Sequence, residues 1–373
     1  INMKKMSSIK DFYKEKRNFL LTYKKNIQKN INNVVFIFTL ILLINLIKSK
    51  NSSIIVKYSG PNEQKIFNGG INFTFPQKII INNNNLEDFT VKKYNLTEKE
   101  NIVELFWEKD IIDCEAMFYD IDNILEINFS NFDTSKVTNM RWMFANCRSF
   151  KSLDLSNFDT SQVIDMDFMF SNFSSLSSLN LSNFDTSKVK NMEGMFVNNT
   201  RLALIDLSSF NTSQVINMQQ MFYNCYSLNS LDLSNFITSR VNYYWRMFRG
   251  SFSLKSLNLL NFNISQNTNI NEMFHVCKEL SYINFGNAII QNADIASEFS
   301  NLQKPISMIV NNETLTFLKS LNNIIDFSYE IWVKQTEEIE SIYLTSKSIN
   351  IFYSYIDNIN NINKKHNINE LLK

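Results

Sequence analysis

The dipeptide Met-Phe stands at residues 117/118, 143/144, 169/170, 195/196, 221/222, 247/248 and 273/274, always 26 residues apart. A second Phe keeps the same step at 132, 158, 184, 210, 236 and 262. Between them one unit reads Leu153-x-Leu155-Ser156-Asn157-Phe158-Asp159-Thr160-Ser161-x-Val163-x-x-Met166-x-x-Met169-Phe170. A chain with so strict a period has few options. A single unit holds too few inward side chains to offset the entropy of ordering it, so consecutive units must stack and share one core. The pattern predicts an α/β repeat solenoid of about seven strand-turn-helix coils, like a leucine-rich repeat, over residues 111–290. Leu153-x-Leu155 alternates as a short strand, with Leu153 and Leu155 inward. Asp159-Thr160-Ser161 reads as a source of N-cap oxygens, and Val163, Met166, Met169 and Phe170 fall at i, i+3, i+6 and i+7, the stripe of a short helix.

The residues LSNFDTSKV at 181–189, DLSNFDTSQV at 154–163 and the NMxxMF runs at 139–144, 191–196 and 217–222 resemble the BspA-type leucine-rich-repeat surface proteins. That family is also seen as repeats of mycoplasma surface lipoproteins. The resemblance covers about 112–286 and is weaker in the flanks. It implies a surface-displayed, often adhesive binding scaffold without enzymatic activity. It implies a β-rich flank or cap over 51–110 and a C-terminal strand-helix cap over 291–334. No ligand-binding motif transfers with it.

Upstream lie a basic tail, 1–33, and one apolar run, Val34 to Ile47. Fourteen helical residues rise about 21 Å, short of a hydrocarbon core of about 30 Å, which suits the h-region of a signal peptide. The long basic leader and the absence of a small-residue cleavage site suit an uncleaved anchor as well. A buried core helix is the bland alternative. Read as targeting, the run sends residues 51–373 into the secretory pathway, to the cell surface or outside, with membrane contact through 34–47 if it is retained. Residues 335–373 form a polar Ile/Asn-rich tail with no clear period.

Composition narrows the chemistry. Thirty-seven basic and 36 acidic side chains leave a net charge of +1, so no nucleic-acid partner is expected. Six Gly in 373 residues make a Gly-rich phosphate loop improbable, and no Walker, nucleophile-elbow or kinase motif occurs. The two His, 275 and 366, are far apart, and His275 is expected at an exposed, variable position. Eleven of the 14 Met lie in the repeat columns, where core packing outweighs metal ligation. Cys147, Cys225 and Cys277 share one column, two or three coils apart and too distant for disulfides; they and Cys114 read as buried small hydrophobes. Neither a catalytic residue, a cofactor nor a metal is expected.

Two surfaces remain as candidates. Between the strand leucines stand Asn128, Asp154, Asn180, Asp206, Asp232, Asn258 and Asn284, only Asp and Asn, which stacked would form a polar ladder on the concave face. Such a ladder serves hydrogen bonding between coils or, less readily, a ligand or Ca²⁺; only Asp206 and Asp232 are adjacent carboxylates. The fifth unit breaks pattern most, at 240–249, which includes Arg240; Tyr243, Trp245, Arg246 and Arg249 there occupy variable sites that hold Asn, Gln, Glu or Ser in other units. Exposed Trp, Tyr and Arg are the side chains of interface hot spots. The expected function is a non-catalytic, surface-exposed binding or adhesion scaffold for a protein or glycan ligand. A self-assembling coat component and an intracellular repeat scaffold are the alternatives.

Overall fold

The computed structural model describes residues 52–344 except 87–92, 151, 266, 293, 301, 303–305, 321–328 and 336–337. They belong to the second of two compact units, Ser52–Lys373. The tail 1–33, the apolar run 34–47 and the part of the tail beyond 344 lie outside the described residues.

The period does build a repeat solenoid, but among the described residues its coils contain no helix. Asp113, Asn139, Asp165, Asn191, Asn217, Tyr243 and Asn269 are joined in sequence by single parallel β-bridges. The segment after each bridge is a ribbon of consecutive turns. In one coil the N–H groups of Met140, Trp142, Phe144 and Asn146 donate across to the carbonyls of Asp165, Asp167, Met169 and Ser171 at 2.9–3.0 Å. Those of Met143, Ala145 and Cys147 fold back on carbonyls three residues earlier, at 3.0–3.3 Å. Two residues per ribbon are left-handed, such as Trp142 (φ 58°) and Asn146 (φ 62°).

The helix expectation is therefore corrected, and the reason is spacing. An α-helix spends its N–H groups on itself and is about 10 Å wide, so it cannot stack at the pitch of a β-ladder. A turn ribbon exchanges half its hydrogen bonds with the neighbouring coil and keeps close pitch. The Phe of each Met-Phe pair shows that pitch directly. Phe118, Phe144, Phe170, Phe196, Phe222, Phe248 and Phe274 form one stack with centroids 5.5–6.0 Å apart and ring planes within 15°. The Met columns beside them and the second Phe column are buried.

The Asp-Thr-Ser corner caps turns rather than a helix. Oδ1 of Asp133, Asp159, Asp185 and Asn211 accepts from the amide of the Ser two residues on, at 2.9–3.1 Å. Thr134, Thr160, Thr186 and Thr212 are buried and join coils. Each hydroxyl accepts an N–H from the next coil at 2.8 Å and donates to that same residue's carbonyl at 2.9–3.0 Å.

The ladder side carries short parallel strands. Ser178–Leu179 pairs with Leu204–Ile205. Ser230–Asp232, Ser256–Asn258, Tyr282–Phe285, Ser307–Val310 and Tyr329–Gln335 continue as one parallel sheet, which Glu338–Leu344 closes antiparallel. That last strand falls in a stretch whose sequence shows no period. Helices occur after the repeats, at Ile295–Ser300 and Asn312–Ser320.

The first coil is covered by a five-stranded antiparallel sheet in the order Asn84–Leu86, Lys78–Ile81, Glu100–Trp107, Ser52–Ser59, Ile124–Asn131. A loop of that flank serves the ribbon directly. The amides of Asn68, Gly70 and Thr74 donate to the carbonyls of Met117, Glu115 and Asp113 at 2.7–3.1 Å. Trp107 pins the loop through Nε1 to the Thr74 carbonyl at 2.7 Å.

Candidate partner-binding face

The polar ladder spends its oxygens within its own coils. Oδ1 of Asn128, Asp154, Asn180, Asp206, Asp232 and Asn284 accepts the amide two residues on, at 2.8–3.1 Å. Asp154 and Asp206 are held below the usual carboxylate range by the Ser156 and Ser208 hydroxyls and amides. Six members thus close turns instead of bonding to one another, because a short side-chain carbonyl reaches its own i+2 amide more easily than the next coil. Asn258 differs: it is buried, and its Oδ1 has no partner. Beside the strand pairing, side chains of the neighbouring Asn column also bond across coils. Asn183 Nδ2 donates to the Leu155 and Phe158 carbonyls at 3.0 and 2.9 Å, and Asn235 repeats the contact with Leu207 and Phe210.

The fifth unit is assembled differently. Tyr244 takes a Met position, is buried, and donates its hydroxyl to the Asn263 carbonyl at 3.1 Å; burial pushes its phenol pKa up. Tyr243 is 47% exposed. Trp245, Arg246 and Arg249 are half-buried rather than fully exposed. The Arg246 guanidinium lies 4.2 Å from the Trp245 ring centroid and donates through Nε to Glu272 Oε2 at 2.8 Å. Arg249 also contacts Glu272 Oε2. One carboxylate from the next coil therefore orders two guanidinium groups, and the indole backs one of them. Arg240 is set apart, exposed and donating to Gln214 Oε1.

Sequence reasoning missed Glu272 and misjudged His275. Glu272 occupies the Arg246 column one coil later, so opposite charges 26 residues apart were the available signal. His275 is half-buried; burial, then Arg249 and Arg246, push its pKa down.

A second charged cluster lies near the start of the ribbon. Arg141 donates to Asp167 at 2.7 Å, with Asp165 and Glu115 at 3.8 and 3.9 Å. Burial raises the Asp167 pKa to about 6 against the opposing pull of Arg141. Beside it Trp142 stacks on Phe168 at 4.7 Å, and Phe168 lies over Gly194, where a Cβ would fall 2.3 Å from the ring.

The cysteines are free and buried. Cys147, Cys225 and Cys277 also donate to the Phe118, Phe196 and Phe248 carbonyls at 2.9–3.2 Å, a place that Asn199 and Ser251 fill in other coils. Burial pushes the Cys225 and Cys277 thiols up to about 12, which leaves them unreactive. A cavity of about 520 Å³ lies between Ile289–Ile290 and the helix Asn312–Ser320, with Glu313 its acidic wall residue. Among the described residues no group of three or more His, Cys, Asp or Glu is placed to hold a metal, and no helix is long and apolar enough to cross a membrane.

The ribbon, with its invariant columns and outward variable ones, matches a family described as "Mycoplasma protein of unknown function, DUF285" at residues 112–205, 171–285 and 198–308. Together these matches run from 112 to 308, more than half of the 373 residues. The chain belongs to the DUF285 family. The DUF285 segment includes Tyr243, Trp245, Arg246, Arg249 and Glu272, and it excludes the strand Ser52–Ser59 of the flanking sheet. No curated protein and no solved structure matches the chain.

Proposed function

We propose that this DUF285 chain is a non-catalytic, surface-displayed binding scaffold of about seven BspA-type coils, whose contact face is centred on Tyr243, Trp245, Arg246 and Arg249. The carrying observation is the gathering of Trp, Arg and exposed Tyr on one coil while the Met, Phe and Thr columns stay buried. An indole and two guanidinium groups already ordered by Glu272 lose little entropy on binding. The expected ligand is a protein or glycan, and the apolar run 34–47 is the proposed route to the surface, as signal or anchor.

The test pairs localisation with binding. A C-terminally tagged full-length chain should be stained on intact cells, without permeabilisation. Purified chain should bind members of a glycan array or a panel of purified surface proteins, and Trp245→Ala with Arg246→Asn should lower that binding at least tenfold. Asn suits the left-handed backbone at 246 (φ 58°), so circular dichroism should not change. Staining only after permeabilisation, or undiminished binding by the variant, would refute the reading. Sedimentation of the pure chain as large ordered assemblies would favour a coat component instead.

A further inference from the structure

The last coil of the ribbon has amides with no coil ahead of them. Arg246 N and Phe248 N donate to the Asn271 and Met273 carbonyls at 3.0 Å. The equivalent donors one coil later are Glu272 N and Phe274 N. Ahead of them lies the helix Ile295–Ser300, whose carbonyls point along its own axis. Glu298 on that helix supplies the acceptors. Its Oε1 takes Glu272 N at 2.8 Å and its Oε2 takes Phe274 N at 3.2 Å. The next residue, Phe299, ends the aromatic stack on Phe274 at 6.1 Å. Two consecutive side chains thus terminate both the ribbon's hydrogen-bond ladder and its Phe stack.

The carboxylate is an expensive terminator. Glu298 is 3% exposed. Asp294, on the same segment, opposes its charge, and from the last coil it faces the neutral thiol of Cys277. The Glu272 side chain spends its own charge on Arg246 and Arg249. Among the described residues, none of the groups acting on Glu298 is a cation. Burial without a cation and the like charge of Asp294 favour the neutral form, against the two N–H donors, which favour the anion.

We propose that Glu298 makes closure of the ribbon's C-terminal end proton-linked: the helix Ile295–Ser300 docks more tightly when Glu298 is protonated and loosens when it ionises, and Glu272 loosens with it. Burial raises the Glu298 pKa from 4.5 to about 7, with the N–H donors pulling it down and Asp294 pushing it up. Between those values the docked end holds a proton that the undocked end has released. Docking therefore weakens as pH rises from 4.5 to about 7 and levels off above. The Arg246–Arg249 pair, bridged by Glu272, inherits that dependence.

Hydrogen exchange of the full chain tests this without any partner. After correction for intrinsic rates, protection of Glu272, Phe274 and the helix amides should fall about 40-fold between pH 5 and pH 7 and hold steady from about 7.5 to 8.5. In Glu298→Gln the protection should not vary with pH over that range. Asp294→Asn, which removes the opposing charge, should move the falling window to lower pH. Equal pH dependence in Glu298→Gln and wild type overturns the proposal, as does protection that rises with pH. Should Glu298→Gln fail to fold, an unmoved window in Asp294→Asn overturns it equally.

Discussion

A coil-to-coil contact of this protein can be carried by one hydroxyl. Thr186 is fully buried, accepts the Asn211 amide at 2.8 Å and donates to the Asn211 carbonyl at 3.0 Å. Valine has nearly the same shape but would orphan both backbone groups. Each buried unsatisfied group costs about 1–3 kcal/mol, so Thr186→Val should destabilise by roughly 2–6 kcal/mol. Urea unfolding checks this; a loss within experimental error would mean that the hydroxyl column is ornamental. The columns differ in chemistry although all are buried: Met and Phe fill volume, whereas Thr and the Cys/Asn/Ser column satisfy carbonyls and amides that a purely apolar core would strand.

At the scale of the element, the turn ribbon and the helix it displaces make opposite demands on one column. Asn146, Asn172, Asn198 and Asn224 have φ between 54° and 62°, and Gly250 follows at 75°. In a helix, Val costs no more than Gly; in the left-handed region a β-branched side chain is strained and Gly is at ease. Asn198→Gly should therefore leave the thermal midpoint within a few degrees. Asn198→Val should cost about 1–3 kcal/mol. The reverse order would restore the helical reading of this segment. The Asn column could have exposed the error in advance, since Asn recurs where a helix of two to three turns would still be running.

For the whole molecule, the ends decide whether a stack of coils is a discrete body. The first ribbon's carbonyls at Asp113, Glu115 and Met117 are met by amides of the 68–74 loop, and the strand Ile124–Asn131 is covered by Ser52–Ser59. The last ribbon's amides are met by Glu298. Removing 52–110 should leave open carbonyls and an exposed strand edge, both templates for another chain. Light scattering on that deletion is expected to show concentration-dependent self-association, against a single species for residues 52–373. A monomeric deletion would mean that the flanking sheet does not serve as a stopper.

The 26-residue recurrence by itself determined that the chain is a stack of coils, which columns are buried, and where the pattern breaks at Tyr243 to Arg249. Burial follows from apolar periodicity, which is a property of the chain alone. Only the tertiary structure decided the backbone that carries Val163, Met166, Met169 and Phe170 inward. The i, i+3, i+6, i+7 spacing satisfies a helix and a turn ribbon equally, and the choice falls to the hydrogen bonds each coil must make with its neighbour at close pitch. The same holds for six of the seven ladder residues, whose oxygens turned back on their own coils, and for Arg246, whose partner Glu272 comes from the next coil. Such pairings depend on what stands one pitch away across the stack, and for Glu298 on the coil where the repetition stops.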